Sequence, residues 1–210
     1  MGDDLTPAAA ARISFDGQPR GWDGGDGKLT RYLLTNDHLS PFEMVEVMFE
    51  VKAPIFVARQ WVRHRTANWN EFSMRYAEPG RIGEYGDIEF YTPAQFAQQS
   101  GVNKQSSDQP LSPDDNVDAH AVYARANREA ERAYELLIDM GVSREQARAV
   151  LPVNTYTKWV WKNDLRNTMH FMGLRQGHGA QAEIRDYADA METLLRTRLP
   201  NLVDLWKETQ

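Results

Sequence analysis

The chain has 210 residues, 41% hydrophobic and 26% charged, with a formal net charge of −6. That length buries a real core in one domain, and the acidic balance argues against nucleic acid or a membrane as partner. There is no cysteine, which excludes disulfides, thiolate-held zinc, iron–sulfur clusters and a thiol nucleophile; with no secretory leader and no apolar run near the roughly 18 residues of a membrane span, the expected compartment is the cytoplasm.

Thr6-Pro7 ahead of an alanine run reads as a helix start, with Thr capping and Pro in the first turn. Residues 16–27, DGQPRGWDGGDG, read as solvated loop, because the glycines lack phosphate-cradle spacing and the aspartates repel phosphate. Residues 28–38 carry helical spacing through Leu29, Tyr32 and Leu33, and Ser40-Pro41 opens another short element. Residues 44–53 alternate: Val45, Val47, Phe49 and Val51 face one way, and Met44, Glu46, Met48 and Glu50 the other, as in a half-buried strand. Pro54 starts a helix through PIFVARQWVRHR, with Phe56, Gln60 and Arg63 near one face.

Residues 98–117, rich in Ser, Asp and Pro, predict a mobile surface loop. Residues 118–140 predict a helix with Val122, Ala126, Ala133, Leu136 and Leu137 inward and Gly141 at its end. Ser143 and Gln146 have the spacing of a capping box, and residues 154–162 alternate as an aromatic strand. Asn163 or Asp164 then caps a helix that Gly173 closes, and residues 180–199 read as a long amphipathic helix. Helices outnumber strands without regular βαβ alternation. The expected fold class is α+β, with helices packed on an antiparallel or mixed sheet in a single domain over residues 1–210.

One stretch stands apart: RHRTANWNEFSMRY, residues 63–76. Arg63, His64, Arg65 and Arg75 crowd positive charge, and only Glu71 lies within the stretch to offset it. Either carboxylates elsewhere in the fold neutralise them, or an anionic ligand does, whether a nucleic-acid strand or a small phosphorylated molecule. Asn68, Asn70, Glu71 and Ser73 add directed donors and acceptors to that charge, the combination that a nucleotide or flavin edge requires. Trp61 and Trp69 offer ring faces, although tryptophan more often belongs to the core. His170 and His178 lack metal-ligand spacing, so no metal is expected. Ser73 has no base-and-orienter pattern beside it and reads as a hydrogen-bonding group, not a nucleophile.

The stretch resembles the signature of the flavin-dependent thymidylate synthases. That signature runs Arg-His-Arg, two variable residues, Ser, a variable residue, Asn-Glu, a variable residue, Ser, a variable residue, Arg. The match covers Arg63, His64, Arg65, Asn70, Glu71, Ser73 and Arg75, with Asn68 standing where the family has Ser. Segments 11–16, 40–43, 51–65, 147–152 and 165–175 are also similar to family segments in family order; the loop at 98–117 is not.

The resemblance implies reductive methylation of dUMP to dTMP, with FAD, NADPH and methylenetetrahydrofolate and without a Cys nucleophile. It carries Arg63, His64 and Arg65 to the flavin, and Glu71 to flavin and nucleotide. Gln60, Ser73, Arg75 and Arg148 go to dUMP, with Phe72 and Met74 in the same substrate segment. Arg175 is carried to the uracil ring. Hydride addition builds negative charge on the pyrimidine N3/O4 edge, which a fixed guanidinium stabilises. Ser40 and Arg166 match flavin contacts, and His38 resembles a histidine at the flavin and folate face. Asp164 and His170 stand at flavin positions where the family often has Asn. The resemblance further implies a homotetramer with shared active sites. Two other readings compete: a single-strand nucleic-acid binder using the Arg and Trp cluster, and a flavin or nucleotide binder that has lost a catalytic step.

Overall fold

The computed structural model describes residues 1–83 and 86–210. In chain order the elements are α1 (Thr6–Arg12), α2 (Gly27–Thr35), β1 (Glu46–Pro54), α3 (Ile55–Trp61), β2 (Asn68–Glu71), β3 (Ala97–Gln99), β4 (Ser107–Pro110), α4 (Pro113–Asp139), α5 (Arg144–Ala147), β5 (Tyr156–Asp164), α6 (Leu165–Gln176), α7 (Ala182–Arg196) and α8 (Pro200–Glu208). The fold is α+β. One sheet has the order β1-β5-β2, and β3 pairs antiparallel with β4 in a second. The chain divides into two compact units. The first comprises Met1–Phe49, His64–Trp69 and Trp161–Gln210; the second comprises Glu50–Arg63 and Asn70–Val160. Strands β1 and β5 each start in one unit and end in the other.

The first unit is built on three helices near the C-terminus. In α7 the buried residues Ile184, Ala188, Met191 and Leu195 fall on one face at helical spacing, and α7 packs on both α6 and α8. From α6, Phe171 and Met172 are fully buried; α8 adds Leu202, Val203, Leu205 and Trp206. Phe171 packs on Trp161 of β5 at a ring distance of 5.4 Å, and Trp161 on Phe49 of β1 at 6.5 Å. Trp161 and Phe171 are fully buried, and truncating such an aromatic to Ala costs about 3–5 kcal/mol. Asp164 caps α6 as the sequence predicts, its carboxylate accepting from the Asn167 backbone N–H at 2.8 Å.

The second unit holds α3, α4, α5 and the first half of β5. Trp61 and Trp159 meet edge to face at 5.3 Å and are both buried. Trp61 is therefore core, not a stacking platform.

Several sequence expectations are corrected. Residues 16–27 are not wholly solvated: Asp26 is fully buried and pairs with buried Arg12 at 2.6 Å. α3 stops at Trp61, so Arg63 lies beyond the helix, in the turn closed by its own N–H to Gln60 O. The 98–117 segment is not structureless; it carries β3, β4 and the first turn of α4, which Ser112 caps. In α4, Val122 and Leu136 are 57% and 52% exposed, and Ala126 is exposed too, so the predicted inward face is not the covered one. Tyr134 is that helix's buried residue. The capping box at Ser143 does not form; the Gln146 N–H donates to the Ser143 carbonyl instead. Gly173 does not close α6, which continues to Gln176. A Cβ there would lie 3.4 Å from Gln210 Oε1 and 3.8 Å from Trp206, both ordinary contact distances. The long helix predicted at 180–199 is α7, ending at Arg196, with Pro200 opening α8.

Candidate active site

The 63–76 stretch is divided between the units. Arg63 belongs to the second, His64 and Arg65 to the first, and residues 70–76 to the second. Arg63 and Arg65 are exposed, and neither forms a salt bridge among the described residues. For these two cations, the carboxylates of the described residues do not answer the charge.

In the first unit, His64 lies half-buried against Phe171, ring centroids 4.8 Å apart, and 6.3 Å from His170. Arg175, in the last turn of α6, donates from Nε to His64 Nε2 at 3.0 Å. Accepting that bond requires the Nε2 lone pair, so the ring proton sits on Nδ1 and the imidazole is neutral. Burial, and then the Arg175 and His170 charges, push the His64 pKa down to about 4. Burial also lowers the Arg175 pKa from its ordinary value.

The same unit contains a cavity of about 930 Å³ whose lining includes Arg31, Arg166, Asn167, His170, Trp206 and Gln210. Arg166 pairs with Glu43, and Arg31 with Glu208 at 2.5 Å, all four side chains substantially exposed. Of the predicted flavin residues, Arg166 and His170 line this cavity, whereas Ser40, His64, Arg65 and Asp164 do not. Asp164 also accepts from the Asn167 side chain at 2.7 Å, so its carboxylate is held by the helix end. His38 is exposed, edge to face with Tyr32 at 5.7 Å.

In the second unit, Arg75 pairs with Glu145 at 2.6 Å, and Arg148 Nε donates to the Glu145 carbonyl at 3.3 Å. Two of the predicted nucleotide cations thus converge on Glu145, Arg75 through its carboxylate and Arg148 through its backbone carbonyl. Ser73 accepts the Arg75 backbone N–H, Thr157 donates to Glu71 at 2.8 Å, and the Phe72 N–H donates to Lys158 O. Met74 is buried at 7% exposure, so its side chain serves the core. Gln60, on α3, is half-buried. Sequence reasoning missed Glu145, although its place three residues before Arg148 on one helical face was available as a signal. It also missed Arg31 and Trp206, for which the sequence holds no signal. No group of His, Asp or Glu able to hold a metal occurs among the described residues, and no helix there is long and apolar enough to cross a membrane.

Comparison with known proteins agrees along nearly the whole chain. Residues 1–201 match the family model described as thymidylate synthase complementing protein. A flavin-dependent thymidylate synthase of Thermus thermophilus is 46% identical over 200 residues, which cover 95% of this chain and 70% of that protein. One from Anaplasma marginale is 43% identical over 202 residues, covering 95% and 67%. Among solved structures, a UMP/dUMP methylase, PolB, from Streptomyces cacaoi bound with 5-Br UMP superposes with a TM-score of 0.84 at 33% identity, covering 99% of this chain and 90% of that one. The chain belongs to the flavin-dependent thymidylate synthase family.

Proposed function

We propose that the protein methylates dUMP to dTMP reductively, taking the carbon from methylenetetrahydrofolate and the hydride from FAD that NADPH has reduced. The observation that carries this reading is the convergence of Arg75 and Arg148 on Glu145 beside Ser73. Arg75 and Glu145 are each about half exposed, at 51% and 57%, and such a pair is worth about 0–1 kcal/mol. A nucleotide phosphate, with more charge and more acceptor oxygens, displaces that carboxylate readily and binds the guanidiniums as a stronger partner.

The cavity of about 930 Å³ fits FAD in size, at the upper end of the roughly 300–1,000 Å³ of small-molecule sites. Arg166 and Arg31 would hold its anionic part in place of their exposed carboxylate partners, with His170 and Asn167 supplying hydrogen bonds. Bound there, the flavin supplies the hydride. Arg63 and Arg65, which form no salt bridge among the described residues, are the further candidates for flavin or nucleotide charge. Arg175 is the residue assigned to the uracil edge, where its guanidinium stabilises developing negative charge. With no cysteine in the chain, uracil activation proceeds without a thiolate.

The functional assembly in this reading is a homotetramer, and the compartment is the cytoplasm. The exposed residues Val122, Ala126 and Leu136 of α4, with Met140 at its end, support self-association, since exposed apolar residues at coiled-coil spacing want a partner helix. Light scattering after gel filtration measures this; a monomer at working concentration would overturn it.

Activity is tested with purified protein, anaerobically reduced, mixed with dUMP and methylenetetrahydrofolate, with dTMP measured by chromatography. Flavin absorption bands and dTMP formation are the expected results; colourless protein that forms no dTMP refutes the proposal. UMP is the second substrate to assay, because the Streptomyces cacaoi relative is a UMP/dUMP methylase crystallised with 5-Br UMP and with 5-Br dUMP.

A further inference from the structure

The bond between His64 and Arg175 joins two residues that the resemblance sends to different ligands, flavin and uracil. We infer that His64 is a positioning residue, whose Nε2 lone pair fixes the plane of the Arg175 guanidinium. The inference rests on the proposed role of Arg175 at the uracil edge.

A guanidinium is planar, so fixing the direction of its Nε–H fixes the plane of the whole group, including both terminal nitrogens. The Nε donor of Arg175 points at His64 Nε2 at 3.0 Å. An arginine in the last turn of a helix otherwise samples many rotamers, and ordering such a side chain costs up to about 1.5–2 kcal/mol of entropy. Here the ordering is done before any ligand arrives. His64 is itself held by Phe171, which is fully buried and packed on Trp161, itself packed on Phe49. The orientation of the arginine is therefore tied, through one imidazole, to the buried aromatic core of the first unit.

The acceptor must be neutral. A doubly protonated ring would present N–H to N–H and repel the guanidinium, and the low pKa of His64, about 4, keeps the ring neutral across the working pH range. Lysine or arginine at position 64 cannot do this, because neither accepts a hydrogen bond; glutamine can, since its Oε1 reaches about where Nε2 sits.

Three variants and one spectrum test the assignment. In protein labelled with ¹⁵N-histidine, the His64 ring should show the Nδ1–H tautomer with Nε2 as acceptor. The Nε2 shift should move when Arg175→Ala removes the donor. This readout needs no turnover, so it stands whether or not dUMP is the substrate. In activity, His64→Leu should lower the rate of dUMP-dependent flavin reoxidation about 10–100-fold, the scale of a lost hydrogen bond to a charged group, with the dUMP KM changed less than about threefold and flavin content retained. His64→Gln should recover most of that rate. An Nε2–H tautomer, an Nε2 shift that ignores Arg175→Ala, or a Gln variant as slow as Leu with flavin retained would each overturn the inference. A wild-type protein that forms no dTMP refutes the proposed function instead and leaves the tether to the spectrum; Arg175→Ala at wild-type rate refutes the role of Arg175.

Discussion

The first unit holds Arg175 half-buried, tied through His64 to a column of buried aromatics. The second holds Arg75 exposed, paired with a carboxylate that is equally exposed. The same guanidinium serves opposite purposes in these two settings. A donor that must meet charge as it develops has to be aimed beforehand, because reorienting it during the reaction raises the barrier. A donor that recognises a phosphate already charged in solution needs only to be near and exchangeable. Burial and a neutral acceptor achieve the first; an exposed, weak ion pair achieves the second.

The largest expected effect breaks the fixed side of this comparison. Arg175→Ala should slow dUMP-dependent oxidation of reduced flavin by about 10²–10³-fold, the scale of losing one preorganised donor, while flavin stays bound. Lysine there should restore the rate only partly, because an ammonium lacks the planar two-pronged edge. Anaerobic stopped-flow measures both. Next in size, Arg63→Ala combined with Arg65→Ala should weaken FAD binding by about 10²-fold or more, at about 1.5–3 kcal/mol per charged contact. The melting temperature should barely move, since both side chains are exposed; full flavin occupancy after dialysis would remove them from the cofactor site.

On the exchangeable side, Arg75→Ala and Arg148→Ala should each raise the dUMP KM about 10-fold or more with kcat little changed, the signature of uniform binding lost. Steady-state kinetics that show the loss in kcat alone would reverse the roles of the two settings. Glu145→Ala gives the smallest effect: a stability change within about 1 kcal/mol and a slightly lower KM, because the phosphate no longer competes with the carboxylate.

Acidity sharpens the comparison by its sign. The His64 pKa falls from an ordinary 6.5 to about 4 in the folded protein, so between those values the unfolded chain binds more protons than the native one. The contribution of His64 to stability is then complete above about pH 6.5 and is lost as the pH falls toward 4. Denaturant midpoints for the wild type and His64→Gln across this window should converge as pH drops; parallel curves would contradict the burial of His64.

Much of the fold was legible where a single local rule decides it. The alternation at 44–53 marked β1, with Val51 buried and Met48 exposed, and Asp164 announced the start of α6. Local rules failed where the deciding partner lies far along the chain. Gly173 reads as a stop, yet α6 runs on to Gln176 and packs on α7, which lies further along the chain. The apolar residues of α4 fall on two sides, and periodicity alone cannot say which side the chain covers. In the site, residue types pointed to flavin and nucleotide chemistry through the resemblance, but pairings did not follow. His64 and Arg175 stand 111 positions apart, and nothing in either neighbourhood announces their bond.

The path of the chain through its two units bears on how the protein is made. The first unit draws on three separate stretches, the last of them Trp161–Gln210. On the ribosome, residues 1–49 emerge early and must wait, with their apolar faces unpaired, until α6, α7 and α8 follow. Glu50–Arg63 and Asn70–Val160 are all available sooner. Contacts of such long sequence separation form slowly, and a waiting hydrophobic segment is the kind of surface that invites aggregation or a chaperone during synthesis. A stop codon a few dozen residues early would therefore not trim the molecule. It would leave the first unit without the buried faces of α7 and α8, and His64 without Arg175.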